Sequence, residues 1–309
     1  MVKVALAGGT SGMGLNILNA ILATKKHQVV LLSRSPKPEL SAKGIDVWSV
    51  DYDSHDFLVE TLRGVHTVIS AIGSWDDSLR TSQLALLEAA EKAGVKRFAP
   101  SEYAGPGNDG IDAYAHKEAV WQAVKASGLE YTKFACGLFM NVFVTGTPRA
   151  EEEALAGLRP WNFIVNVKAG TADLPGDGEA KATFTESRDV AKFVAASLDL
   201  DKWDEESGME GSTVSLNEVV KLAEKVTKRK FLIKHNSLAE LAEMINADPG
   251  TCFYNQIRLA IAEGKVTVKP TLNEKCPHLK PWHMEEWLEK WWGGVELGEP
   301  AWEVPNIIA

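Results

Sequence analysis

The chain has 309 residues, 45% of them hydrophobic and 24% charged, which is the balance of an ordinary folded protein and excludes a disordered or fibrous one. A formal net charge of −9 leaves no electrostatic footprint for a nucleic acid or an anionic membrane surface. Three cysteines suit a reducing compartment. No apolar run approaches the ~18 residues of a membrane span, and no signal peptide precedes the first strand, so a cytoplasmic protein is expected.

A short apolar strand is predicted from Val2 to Ala7. It runs into a glycine-rich turn (Gly8, Gly9, Gly12, Gly14) and then an amphipathic helix. Leu15, Leu18 and Leu22 fall at helical spacing there, with Asn16 and Asn19 off that face. Strand, glycine turn and helix in this order make a dinucleotide-binding motif. The glycines let the backbone turn tightly and approach a pyrophosphate, and the helix start offers free N–H groups. Thr10, Ser11 and Met13 fill the same turn and join Gly8, Gly12 and Gly14 as cofactor-binding candidates.

The second strand is predicted from Gln28 to Ser33 and ends in Ser33-Arg34-Ser35-Pro36-Lys37. An acidic residue there would bind a ribose 2′-hydroxyl, but Arg34 stands about 20 residues after the glycines, where the fingerprint places its discriminating residue. A guanidinium matches a phosphate bidentately, and Lys37 adds a second charge, so the expected cofactor is NADP(H). The third strand, Asp46 to Val50, leads to Asp51 and Tyr52, expected on the adenine side. A helix from about Ser54 to Arg63 precedes the fourth strand, His66 to Ile72. A long helix from about Asp77 to Ala93 stops at Gly94, a C-cap glycine. The fifth strand is Arg97 to Pro100. After a Gly-, Pro- and Asn-rich loop (Gly105 to Asp112) come a helix, Ala113 to Ala126, and a sixth strand, Tyr131 to Ala135. This alternation predicts an α/β protein, a Rossmann-type doubly wound parallel sheet with helices on both faces.

Within the helix Ala113–Ala126, Ala113, Lys117, Val120 and Val124 share one stripe with Trp121 on its flank. An ammonium on a core-facing stripe is expensive unless it has a partner or a role. Lys117 either snorkels from the first helical turn or sits at the mouth of the cofactor cleft and moves a proton. Tyr114 is one turn earlier, close enough to share a catalytic site. His116 points about 100° away and is expected at the surface or against a loop.

Beyond residue 145 the alternation fails. A short strand (Phe163 to Val167), a helix (Asp189 to Leu198), a strand (Val214 to Leu216) and a helix (Asn217 to Val226, Ser215 near its cap) are predicted, with further helices at 237–246 and 252–263. The expected division is an NADP-binding Rossmann domain over 1–145 and a smaller substrate lobe over 146–309, of which about 183–200 and 211–226 pack back on the first domain. The tail carries Trp282, Trp287, Trp291, Trp292 and Trp302. Met284, Trp287, Leu288 and Trp291 share a helical face that either packs on the body or, through Trp282 and Trp287, walls an aromatic substrate pocket. Cys276, His278 and His283 do not form a recognised zinc spacing, and no metal is expected.

Gly-Gly-Thr-Ser-Gly-Met-Gly at 8–14, Arg34, the run from Val95 to Tyr103, Lys117 and Gly137-Leu138-Phe139-Met140-Asn141 together resemble the NmrA-like and isoflavone-reductase-like branch of the atypical short-chain dehydrogenases. The likeness is strong over 1–145 and weaker over 183–245. Two features depart from the family pattern: Ser11 replaces the middle glycine of its turn, and the tryptophan-rich tail has no family counterpart. The resemblance implies a monomeric or homodimeric NADPH-dependent reductase of an aromatic or conjugated small molecule, with Lys117 as catalytic residue. By the same likeness Ser70, Ala71, Gly73, Pro100 and Ser101 line the nicotinamide side, flanked by Phe139 and Asn141, and Glu102, Tyr103 and Phe139 face the substrate. Two other functions fit the same residues. One is an NADP(H)-binding regulator or redox sensor without turnover. The other is a cyclase or isomerase that retains the nucleotide and works through Glu102, Asp112 and the aromatic tail.

Overall fold

The two-residue period of a strand sorts the first apolar run onto two faces. In β1 (Lys3–Ala7), Val4 and Leu6 enter one core layer, and Ala5 and Ala7 enter the other. In the computed structural model, which describes residues 1–303, this strand lies at the centre of a six-stranded sheet. Its neighbours are β2 (Gln28–Ser33), β3 (Asp46–Ser49), β4 (Thr67–Ser70), β5 (Arg97–Ala99) and β6 (Glu130–Tyr131). The order is β3-β2-β1-β4-β5-β6 and every pair is parallel, the doubly wound Rossmann arrangement. The order in which strands are added switches sides between β1 and β4, and the carboxyl ends of these two parallel strands open the crevice where such sheets bind ligands.

Helices Gly12–Thr24 and Ser187–Ser197 cover one face of the sheet. Helices His55–Leu62, Ser78–Ala93 and Ala115–Ala126 cover the other. The first helix buries Gly14, Ile17, Leu18 and Ile21. Leu22, expected on the buried stripe, is 39% exposed, since the buried stripe runs through those residues instead. Asn16 is not idle on the far face either: its Nδ2 donates to Ala156 O at 3.0 Å and to Ser187 Oγ at 3.3 Å. Gly94 ends the Ser78–Ala93 helix with φ 77°, as its position at a C-cap predicts.

The predicted sixth strand is two strands. Glu130–Tyr131 extends the large sheet, and after Thr132 the chain shifts so that Lys133–Ala135 pairs with Glu206–Gly208. The second half also holds Thr171–Pro175 between Val165–Asn166 and Leu232–Asn236, and Lys181–Thr185 between Ser212–Ser215 and Leu138–Phe139. The helix Leu216–Thr227 opens with a capping box between Ser215 and Glu218.

A second core lies under this half, built from Met140, Phe143, Phe184, Leu216, Trp287 and their neighbours. Helix Ser187–Ser197 does pack back on helix Gly12–Thr24. Helix Leu216–Thr227 does not: its apolar stripe joins the second core against Met284–Trp292. The two cores do not part at residue 145, since Ile111, Met140 and Phe143 lie in the second while Phe193, Leu198 and Leu272 lie in the first. Residues 304–309 of the expected lobe fall outside the described residues. No helix among the described residues is long and apolar enough to cross a membrane.

Candidate active site

The glycine turn is shaped by contacts that leave no room for side chains. Gly8 has φ 77°, and a Cβ on it would lie 2.4 Å from Ala71 O. A Cβ on Gly14 would lie 2.1 Å from Gly8 O, so the helix starts directly over the turn. Gly12 has φ 50°, and a Cβ on it would lie in ordinary contact with Gly157 O at 3.7 Å and the Leu158 side chain at 3.9 Å. Ser11, the N-cap residue, makes no side-chain capping hydrogen bond, which leaves the first-turn N–H groups free for an anion. Turn and free N–H groups together fit a dinucleotide pyrophosphate. Ser11 is itself exposed, and Thr10 and Met13 are half-buried in the same turn.

Arg34 stands exposed at the end of β2 and makes no ion pair or hydrogen bond among the described residues. Its guanidinium is near Tyr52, whose hydroxyl burial pushes up to about 12 against the opposing pull of Arg34. Lys37, half-buried, precedes the short helix Pro38–Ser41. Asp51 is exposed and its carboxylate accepts from Asp53 N at 3.0 Å. A free cation at this strand end fits a 2′-phosphate.

Across the crevice, a 3-10 turn (Asp112–Tyr114) leads into helix Ala115–Ala126, where Val120, Trp121 and Val124 are buried as the stripe predicts. Lys117, in the first turn of that helix, donates from Nζ to the main-chain oxygen of Glu102. The same Nζ lies 4.9 Å from the centroid of the Tyr114 ring. Burial holds the lysine below its ordinary range, and the Glu102 carboxylate opposes that shift. His116 meets Asp77 Oδ1 at 3.3 Å, the loop-facing position expected of it.

Several expected contacts lie deeper than the cleft surface. Ser70, Pro100 and Ser101 are buried: Ser101 N donates to Gln83 Oε1 at 2.7 Å, and Ser70 O accepts from Tyr103 Oη at 3.1 Å. Ala71 and Gly73 reach the surface. The Tyr103 ring stacks on Phe134 at 6.2 Å, and burial raises its hydroxyl. Glu102 is 3% exposed. Asn141 is 1% exposed, and its amide is engaged by Ala154 O, Glu186 Oε1 and Ser187 N, so it ties three segments together. Phe139 stays half-buried beside Leu138.

A partly open pocket of about 380 Å³ is lined by Tyr114 together with Gly105, Ile111, Leu138, Ile257 and Val266 among others. Above it rings gather: Phe253 stands 5.9 Å from Tyr114, 6.1 Å from Trp161 and 5.2 Å from Trp75. Trp75 is 56% exposed, an uncommon state for so large an apolar ring, and follows β4 in the turn after Gly73. Sequence reading missed Trp75, Trp161 and Phe253. A bulky ring two residues past the Gly73 turn was the available signal. The tail tryptophans do not supply this wall. Trp287 is fully buried in the second core, and Trp282 packs edge-on against it at 5.9 Å. Neither lines the pocket, and of the rings gathered around Phe253 only Tyr114 does. A wider depression of about 510 Å³ is formed by charged side chains from Lys221 to Lys230 and includes none of these groups. Among the described residues no three His, Cys, Asp or Glu side chains converge to hold a metal.

Residues 2–288 match the NmrA-like family. The oxidoreductase BOA1 of Botryotinia fuckeliana is 35% identical over 244 residues, covering 75% of this chain and 78% of that protein. The phenylcoumaran benzylic ether reductase PT1 of Pinus taeda is 29% identical over 248 residues, covering 72% of this chain and 74% of its own length. Among solved structures, AtPrR2 with NADP+ and (+)-pinoresinol superimposes with a TM-score of 0.74 at 23% identity, over 94% of this chain and 98% of that one. At that identity the likeness establishes the shared fold.

Proposed function

The chain belongs to the NmrA-like family, and from that premise we propose that it is an NADPH-dependent reductase of an aromatic or conjugated small molecule. The observation that carries this reading is the placement of Lys117. Its ammonium is anchored on Glu102 O and against the ring of Tyr114, which also lines a largely apolar pocket. The oxidoreductase and reductase names of the relatives, and the nucleotide held by AtPrR2, support it.

In this reading Gly8, Gly12 and Gly14 with the first-turn N–H groups hold the pyrophosphate, Arg34 and Lys37 the 2′-phosphate, and Ala71, Gly73 and Phe139 border the nicotinamide. The cofactor, when bound, supplies the hydride. The chain's own groups do the rest. Tyr114, Phe253 and Trp75 hold the ring of the acceptor, and the pocket walls exclude water. Lys117 gives a proton, directly or through a hydroxyl or water that it polarises, to the atom that becomes electron-rich.

The test is loss of NADPH absorbance across a panel of aromatic enones, carbonyls and benzylic ethers, with product masses measured. A product heavier by two hydrogens is expected, and Lys117→Ala should abolish its formation. An isomeric product would support the non-redox reading instead. Comparable affinity for NADP+ and NADPH with no turnover on any member of the panel would support the sensor.

A further inference from the structure

Glu102 is placed in a way that the fold alone does not require. Its main-chain oxygen accepts from Lys117. Its carboxyl group is buried, with Oε2 accepting from Asn108 Nδ2 at 3.4 Å and Oε1 without any hydrogen-bond partner among the described residues. A buried carboxyl oxygen left without a donor is costly, and an apolar or amide side chain would serve a purely structural role at lower cost. The surroundings nonetheless hold this residue firmly. Glu102 N donates to Pro100 O at 3.0 Å, and Tyr103 follows in a left-handed conformation with φ 41°, braced by Ser70 O. Lys133 Nζ donates to Pro106 O in the same loop and pairs with Glu206 Oε2 at 3.3 Å. Asn108 Nδ2 also reaches Glu118 Oε2 at 3.3 Å, one residue beyond Lys117 on its helix.

We infer that Glu102 is the positioning residue of Lys117: its carbonyl oxygen fixes the amine, and its buried carboxyl group, with Oε1 left unpartnered and no ion pair to Lys117 within 4.0 Å, is the counter-charge set beside that amine. The inference rests on the catalytic reading of Lys117 for its functional meaning, although the coupling itself does not. The charged and titratable groups around the pair are few. Lys117 is faced by Glu102 and by the buried thiol of Cys136, and Glu102 by Lys117, Lys133 and Glu118. Burial opposes charge on both partners, raising Glu102 and lowering Lys117, while each partner's charge offsets the other's shift.

The experiment follows the Lys117 resonance of the full-length chain, labelled with ¹³Cε-lysine and assigned by its absence in K117R, as pH is raised. Glu102→Gln is nearly isosteric and keeps an acceptor for Asn108, so it removes charge and little else. Its Lys117 midpoint should fall by about one pH unit or more. Glu102→Asp, which sets the charge back by one methylene, should give an intermediate midpoint. A wild-type midpoint in E102Q, or in E102D should E102Q not fold, overturns the inference, and so does an E102D midpoint equal to that of E102Q. No substrate is needed, so the outcome separates from the function test: turnover retained by K117A would remove the catalytic reading and leave the coupling standing.

Discussion

Gly8 and Ala71 meet at the carboxyl ends of β1 and β4 so closely that a Cβ on the glycine would lie 2.4 Å from the alanine carbonyl oxygen. The contact sets the width of the crevice floor, and the left-handed φ of 77° at Gly8 compounds the constraint. Gly8→Ala should therefore cost about 2–5 kcal/mol from strain and overpacking together. Thermal unfolding should show the loss, and NADPH titration should show that whatever folds binds the nucleotide poorly. A variant with wild-type melting temperature and affinity would mean that the turn has slack the contact denies.

Arg34 extends from β2 without an ion-pair partner among the described residues. If it holds the 2′-phosphate, Arg34→Ala removes charge-assisted hydrogen bonds worth about 1.5–3 kcal/mol, or roughly ten- to hundredfold in NADPH affinity. NADH, which lacks that phosphate, should bind the variant and the parent alike. Arg34→Glu should reverse the preference, because a carboxylate accepts from the 2′-hydroxyl and repels the phosphate. Equal losses for both nucleotides would place Arg34 in general folding and not in discrimination.

Lys117→Ala should lower kcat by about 10²–10⁴ and leave NADPH affinity within a few-fold. The pH dependence follows from the direction of the shift. Burial holds Lys117 below its ordinary value of 10.5. If the protonated amine is the acid, the rate is full below the lowered pKa and falls as pH rises through it. The alkaline limb of kcat should then lie below 10.5, the ordinary lysine value, and vanish in Lys117→Ala. A limb that persists in the variant belongs to another group.

The Rossmann half was legible because each of its signals is local. The apolar run of β2, the glycine turn and the Gly94 cap each dictate geometry within a few residues; β2 and the cap fall at the expected positions, and the helix before the cap starts one residue later than expected. Lys117 was legible for the same reason, since a cation interrupting an apolar stripe is a local contradiction. What was missed is set by distant contacts. Leu232–Asn236 has four exposed residues of five and becomes a strand only by pairing with Thr171–Pro175. The ties of Asn141 to Ala154, Glu186 and Ser187 reach across gaps in the chain that its local motif does not signal. Phe253 meets Tyr114 and Trp75 across gaps in the chain that no periodicity spans.

The exposed ring of Trp75 against Phe253 yields a prediction that separates binding from chemistry. Trp75→Ala should raise KM for an aromatic acceptor about fivefold to fiftyfold, from one lost ring contact and its buried area, with kcat and melting temperature nearly unchanged. Phe253→Ala, more deeply packed between Tyr114 and Trp161, should do the same and lower stability as well. Substrate addition should change tryptophan emission in the parent and much less in Trp75→Ala. An unchanged KM in both variants would remove the aromatic wall from the substrate site.

Trp287 tests the opposite assignment. It is fully buried in the second core, edge-on to Trp282 at 5.9 Å and to Trp291 at 5.6 Å, and its Nε1 has no hydrogen-bond partner among the described residues. A ring so placed contributes packing, so Trp287→Ala should cost about 3–5 kcal/mol through lost burial and the cavity left behind. Trp287→Phe should cost markedly less, because it keeps an aromatic ring and removes the unpaired N–H. NADPH affinity, set by residues on the first core, should stay near the parent value in any variant that remains folded. If Trp287→Phe instead changed KM for the aromatic acceptor while stability held, the tail helix would border the substrate after all, and the pocket beside Tyr114 would extend further into the second core than its lining residues indicate.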